Sequence, residues 1–273
     1  MPHPKLNGAY AKIRRANHHL SQLHASIEEW GSAEENDHVP TFDYDPSQNR
    51  LEFMLHKVKP DDINWSLIIG DVVHNLRSAL DHLIFQLALL NGHPVEKCRK
   101  SAFLVCIDEA SYKESSRRIQ GLVSPTALAM IQVLQPYKAA AETGKDPRKS
   151  NLWIISQLDI IDKHRTLVIA AKNFRASSIS YAVNEEEPMI IEAVDTWKPL
   201  VDGAKIATID FSGAGIQHKG KVRVKAQTEV QIFFNETGCG CDGLTVEDAL
   251  RPCIRFVWDV VGLFDRQFFN IIE

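Results

Sequence analysis

The chain has 273 residues, 31 Lys and Arg against 35 Asp and Glu, a net charge of −4 and 44% hydrophobic residues. This balance excludes a disordered chain, and it excludes a protein that coats nucleic acid or an anionic membrane by bulk positive charge. No stretch approaches the roughly 18 uninterrupted apolar residues of a membrane span, and residues 1–10 form no apolar leader, so the expectation is a soluble cytoplasmic protein with no membrane partner.

Leu6, Ile13, Leu20 and Ile27 recur every seven residues, with Ala9, Ala16, Leu23 and Trp30 three positions later. The pattern predicts a helix with a narrow apolar seam, stopped by Gly31 and the polar run 32–38. Residues 50–58 alternate as a short strand closed by Pro60. Asp61 and Asp62 open the longest helical pattern, which runs to Asn91 and Gly92. Ile69, Val72, Val73, Leu76, Leu80 and Leu83 lie on one half of that cylinder. Residues 101–108 read as a buried strand or extended loop, followed by helices near 109–119 and 125–134. The polar run 143–150 reads as a loop and 151–171 as a helix.

Beyond Asn173 the pattern changes to β-branched, alternating runs at 176–183, 188–194, 204–211 and 221–234, the signature of an antiparallel sheet. Thr245 and Asp248 begin a final helix on which Val246, Leu250, Cys253, Val257, Val260 and Phe264 continue an apolar seam, with Pro252 kinking it. The expected fold class is α+β: a helical bundle with long N-terminal, central and C-terminal helices and an antiparallel β-rich insertion. Residues 1–273 are expected to form a single structural unit, with 1–173 and 245–273 as the helical bundle and 174–244 as the insertion.

Two helical segments concentrate polar groups. On the first, Asp71, Asn75, Ser78 and His82 form an i, i+4, i+7, i+11 stripe, flanked by His74 and Asp81. The second runs from Asp159 through Asp162, Lys163, His164 and Arg165. Three readings stay open: a solvated face, a structural clamp in which carboxylates of one helix pair with cations of the other, and a functional site. His18, His19 and His24 lie beside the first seam and read as solvated.

Five cysteines, an odd number over a long chain, do not form a secreted disulfide framework. Cys239 and Cys241 sit in a glycine-rich turn, and no second C-x-x-C or nearby His completes a zinc site. A metal-dependent hydrolase could draw on Asp71, His74, Asp81, His82, Asp159 and His164, yet no H-E-x-x-H or E-x-x-H pair is present, so no metal and no cofactor are expected. P-loop, G-x-G-x-x-G and G-x-S-x-G motifs are also missing.

The string Gly70-Asp71-Val72-Val73-His74-Asn75-Leu76-Arg77-Ser78-Ala79-Leu80-Asp81-His82, with Asp162-Lys163-His164-Arg165 later, resembles a group of uncharacterised bacterial proteins that share both strings. More loosely, Arg77 and His82 resemble the R-x4-6-H signature of HEPN helical-bundle proteins. The same spacing occurs at Arg14/His19 and Arg50/His56, but only Arg77/His82 lies on the long central helix with a polar residue directly after the Arg. The resemblance implies a metal-independent ribonuclease or RNA-binding protein, with Arg77 steadying phosphate and His82 acting on the ribose 2′-OH or leaving group. It also implies a homodimer, in which Arg and His of two protomers meet. Asp71, His74, Asn75, Ser78, Asp81, Asp162, Lys163, His164 and Arg165 are the accompanying candidate binding residues. The alternative is a non-enzymatic binding or scaffold protein.

Overall fold

The computed structural model describes residues 2–32, 41–45, 47–48, 50–55, 62–99, 101–183, 189–199, 203–210 and 222–270. The described chain is mostly helical and divides into two compact units. The first comprises Met1–Leu23, Asp62–Ile169 and Phe234–Glu273, the second His24–Asp61 and Ala170–Phe233.

The first unit is a helical bundle. A 3-10 turn, Pro4–Leu6, leads into α1 (Asn7–Ser32), which runs on into the second unit. Next come α2 (Asp62–Leu90), α3 (Val95–Cys98), α4 (Glu109–Ser116), α5 (Pro125–Val133), α6 (Pro136–Thr143), α7 (Asn151–His164) and α8 (Val246–Phe264). A π-helical turn, Asp265–Phe269, extends α8. Helices α2, α7 and α8 pack against one another at its centre.

The seam of α1 is buried from Leu6 through Ile13, Leu20 and Leu23, as are Ile69, Val72, Leu76, Leu80 and Leu83 of α2 and Leu250, Val257 and Phe264 of α8. Each such side chain stabilises the fold by about 1.5–3 kcal/mol relative to exposure. Side-chain caps start the helices where the sequence places them. The Ser124 and Ser150 hydroxyls accept from the N–H groups of Ala127 and Trp153, and Thr245 Oγ1 accepts from Asp248 N at 3.0 Å. Gly92, at φ +86°, stops α2 one turn after its last core residues.

Two expectations need correction. The helix expected over 151–171 ends at His164, because Arg165 is extended (φ −163°, ψ 159°) and its guanidinium is pulled onto Glu236. Strand β3 (Ile169–Val183) then begins where the helix was expected to continue. Helix α6 was not anticipated; its N-cap is Gln135, which makes no side-chain cap bond and is instead fully buried between Leu104 O, Ile131 O and Cys106 N. Residues 101–106 form an extended segment with Phe103, Leu104 and Cys106 buried.

The strands are β1 (Thr41–Asp45), β2 (Arg50–Leu55), β3, β4 (Met189–Pro199), β5 (Ala204–Asp210) and β6 (Val222–Phe234). They are ordered β1-β2-β5 and β4-β3-β6, with the β1–β2, β2–β5 and β3–β4 pairs antiparallel. The expected stops at 33–38 and Pro60 lie outside the described residues. No helix among the described residues is long and apolar enough to cross a membrane.

Candidate functional site

The polar segments of α2 and α7 meet at Asp159, which is only 2% exposed. Its Oδ1 lies 3.2 Å from His74 Nδ1, and its Oδ2 accepts from Lys163 Nζ at 2.5 Å. The carboxylate at Nδ1 orients the ring, with Nε2 at its other edge. The Ser78 hydroxyl lies 3.5 Å from that nitrogen. One turn further along α7, Asp162 rests on the backbone of α2: a Cβ at Gly70 would overlap its carboxylate. Burial raises the Asp162 carboxyl above the usual carboxylate range, helped by the charges of Asp159 and Asp71 and opposed by His74 and Lys163.

Other candidate residues are committed elsewhere. Arg77, its side chain 14% exposed, donates to Phe103 O at 2.7 Å and pairs with Asp81 at 3.1 Å. Asp81 Oδ1 accepts from Phe103 N at 2.8 Å, so the pair latches the 101–106 segment onto α2. Burial raises the Asp81 carboxyl against the pull of Arg77 and the Phe103 N–H. Asn75 is buried and donates to Asp71 O within its own helix. Arg165 makes a bidentate pair with Glu236 at 2.6 and 2.8 Å, and His164 is exposed.

A cleft of about 570 Å³ opens between α2 and α1. Asp71, His74, Asn75 and His82 line it from α2, and Lys12, Arg15 and His19 from α1. Gly8 lets α1 approach closely, since a Cβ there would sit 3.0 Å from His82 Nδ1. His19, expected in solvent, is 8% exposed; its Nε2 accepts from Arg15 Nε at 2.9 Å, and its Nδ1 lies 3.1 Å from Gln22 Oε1. His18 and His24 are exposed. His74 and His82 are eight residues apart on one helix, about 12 Å along its axis, so they form two stations in the cleft and cannot converge on one atom.

The structure therefore brings Asp71, His74, Asn75 and His82 together in the cleft and sets Ser78 beside His74. It places Asp162 and Lys163 behind them on α7, and turns Arg77, Asp81 and Arg165 toward Phe103 and Glu236. Sequence reasoning missed Lys12 and Arg15, whose only linear signal is their position beside the apolar seam of α1.

Cys239 and Cys241 face each other with their sulfurs 2.8 Å apart, both buried. The hydrogen bond between them lowers the Cys239 thiol and raises that of Cys241. Cys253 is turned toward Asn151. The turn depends on Gly240, which has φ +88° and whose hydrogen faces the carbonyl of Arg148 where no Cβ would fit. Among the described residues no group of three His, Cys, Asp or Glu is placed to hold a metal ion.

No known family model, curated protein or solved structure matches the chain.

Proposed function

We propose that the chain binds single-stranded RNA in the α1/α2 cleft and cleaves it without a metal, with His82 as the catalytic residue. The observation that carries this reading is the lining of the cleft, where three imidazoles stand with Lys12 and Arg15 against the single carboxylate of Asp71. Ammonium and guanidinium groups hold a phosphodiester, and an imidazole titrates close enough to neutrality to move its proton. His82 takes the proton of the ribose 2′-OH, the 2′-oxygen bonds to phosphorus, and the 5′-oxygen leaves and is protonated from water. Lys12 and Arg15 stand where charge builds up on the phosphate oxygens. The HEPN resemblance gives the phosphate role to Arg77, but the bonds of Arg77 to Asp81 and Phe103 favour Lys12 and Arg15 for it within one chain.

The same reading takes 174–244 as a β-rich insertion in a single structural unit of a cytoplasmic protein. It also keeps a homodimer as the form in which Arg77 of one protomer would face His82 of its partner.

General acid–base catalysis contributes about 10²- to 10⁴-fold in rate. His82→Ala is therefore expected to lower cleavage of a labelled oligoribonucleotide by at least about 100-fold in the presence of a chelator. Because His82 is exposed, the thermal melt should not change. Cleavage that stops on adding chelator, or that His82→Ala leaves intact, would overturn the catalytic assignment. The second reading is a binding protein without catalysis. It is favoured by the His74–Asp159 bond, which joins two helices as a structural clamp would, and it predicts RNA retention with no cleavage.

A further inference from the structure

A second concavity, of about 690 Å³, lies on the opposite flank of α1, against α8. Arg14 and Asn17 of α1 face Arg251, Arg255 and Trp258 of α8 across it, over an apolar floor that includes Pro252. On α8 the three residues follow i, i+4, i+7 and so share one face of the helix. Arg251 is engaged by Glu247 at 2.7 Å. Among the described residues, Arg14 and Arg255 pair with no carboxylate. Only Asp259 brings negative charge to the lining, against three guanidiniums.

Trp258 is 43% exposed although it is large and apolar. Its ring meets Tyr10 edge to face at 5.0 Å, and Tyr10 is held by its hydroxyl, which donates to Asp265 Oδ2 at 3.0 Å inside the bundle. Burial and that carboxylate push the Tyr10 phenol up to about 12, so it stays a neutral donor. The indole is thus braced on one side and open on the other, with uncompensated guanidiniums beside it. A bare anion would leave the indole unused, and an apolar ligand would leave the guanidiniums unpaired. A flat aromatic body joined to a phosphate uses both, and the volume falls within the range of small-ligand sites.

We propose that this groove is a nucleotide-binding subsite that stacks a base of single-stranded RNA on Trp258 and holds its phosphate with Arg14 and Arg255. It rests on the RNA reading above for the identity of the strand, which would cross the exposed face of α1 from one cleft to the other. Arg14 and Arg15 are adjacent in sequence and line opposite clefts, so the path over the helix is short.

The test is a titration of the full chain with AMP, followed by tryptophan fluorescence, alongside binding and cleavage of an oligoribonucleotide. AMP is expected to quench the emission saturably. Trp258→Phe keeps the packing against Tyr10 and should remove most of the quenching, and Trp258→Ala should weaken AMP about 10-fold. The double substitution Arg14→Gln, Arg255→Gln changes two exposed side chains and should weaken AMP about 10-fold while leaving the weaker binding of adenosine unchanged. His82→Ala should leave the AMP titration as it is. An AMP titration indifferent to the arginine and tryptophan changes overturns the subsite even if RNA is cleaved. Vesicles of phosphatidylserine or a polyglutamate peptide that occupy the groove while AMP does not would overturn it too. If AMP behaves as expected and no RNA is cleaved, the catalytic reading fails and the subsite stands.

Discussion

Glu236 is a residue whose ionisation the fold needs. It is nearly sealed from solvent, and burial alone would raise its carboxyl; two bonds from Arg165, the Val168 N–H and the charge of Arg165 outweigh that and hold it below the usual range. A folded-state value below the unfolded one means the stabilisation is fully present above the ordinary glutamate range, near pH 4.3, and is lost as pH falls through the lowered value. The bidentate, charge-assisted geometry makes the pair stabilising, and the 54% exposure of Arg165 screens part of that gain. Glu236→Gln is therefore expected to lower the melting temperature at pH 7. The gap to the native protein should close in acid; a gap that stays constant from pH 7 to pH 3 would contradict this account. The residue also shows why the end of α7 could not be read from the chain. Residues 166–171 suit helix or strand about equally, and the choice is made by a carboxylate 71 positions from Arg165.

At the scale of elements, the contact of α2 with α7 depends on what Gly70 lacks. Glycine inside a helix costs about 1 kcal/mol relative to alanine, so its place here reflects the carboxylate of Asp162 lying on it. Gly70→Ala is expected to destabilise the native chain by about 1–3 kcal/mol through overpacking. In an Asp162→Ala background the same change should instead stabilise by up to about 1 kcal/mol, and denaturant titrations of the four chains give the coupling. Equal effects of Gly70→Ala in both backgrounds would sink the argument. The lengths of α1, α2 and α8 were legible because their apolar residues keep a helical period and Ser, Thr and Gly stand at their ends. Helix α6 was not, because its cap, Gln135, spends its amide on Leu104 and Ile131 instead of on the helix start. The α2 side of the cleft was legible for the same reason: Asp71, Asn75 and His82 share one stripe of one helix, with His74 on its flank. The other side comes from α1, and nothing in a linear pattern tells which polar residues of one helix will face which of another.

For the whole molecule, a net charge of −4 means that the proposed RNA strand would be attracted only by local cations. Lys12 and Arg15 in one cleft and Arg14 and Arg255 in the other make four, and at about 0.7 counterions released per single-strand contact the slope of log K against log salt should be about −3. A slope of −6 or steeper would point to a basic surface other than these two clefts, and a flat one to no phosphate contact at all. Both clefts share α1 as a wall, and the angular position of that wall is set by its seven-residue seam. Arg14 and Arg15 differ by one step of 100° about the helix axis. A single residue inserted between Ala9 and Arg14 would therefore turn both arginines by 100° relative to Leu6 and Ala9: the core could keep those two apolar residues in place only by surrendering both cationic edges at once. The spacing of buried leucines and isoleucines thus acts as the gauge that keeps two surface sites in phase.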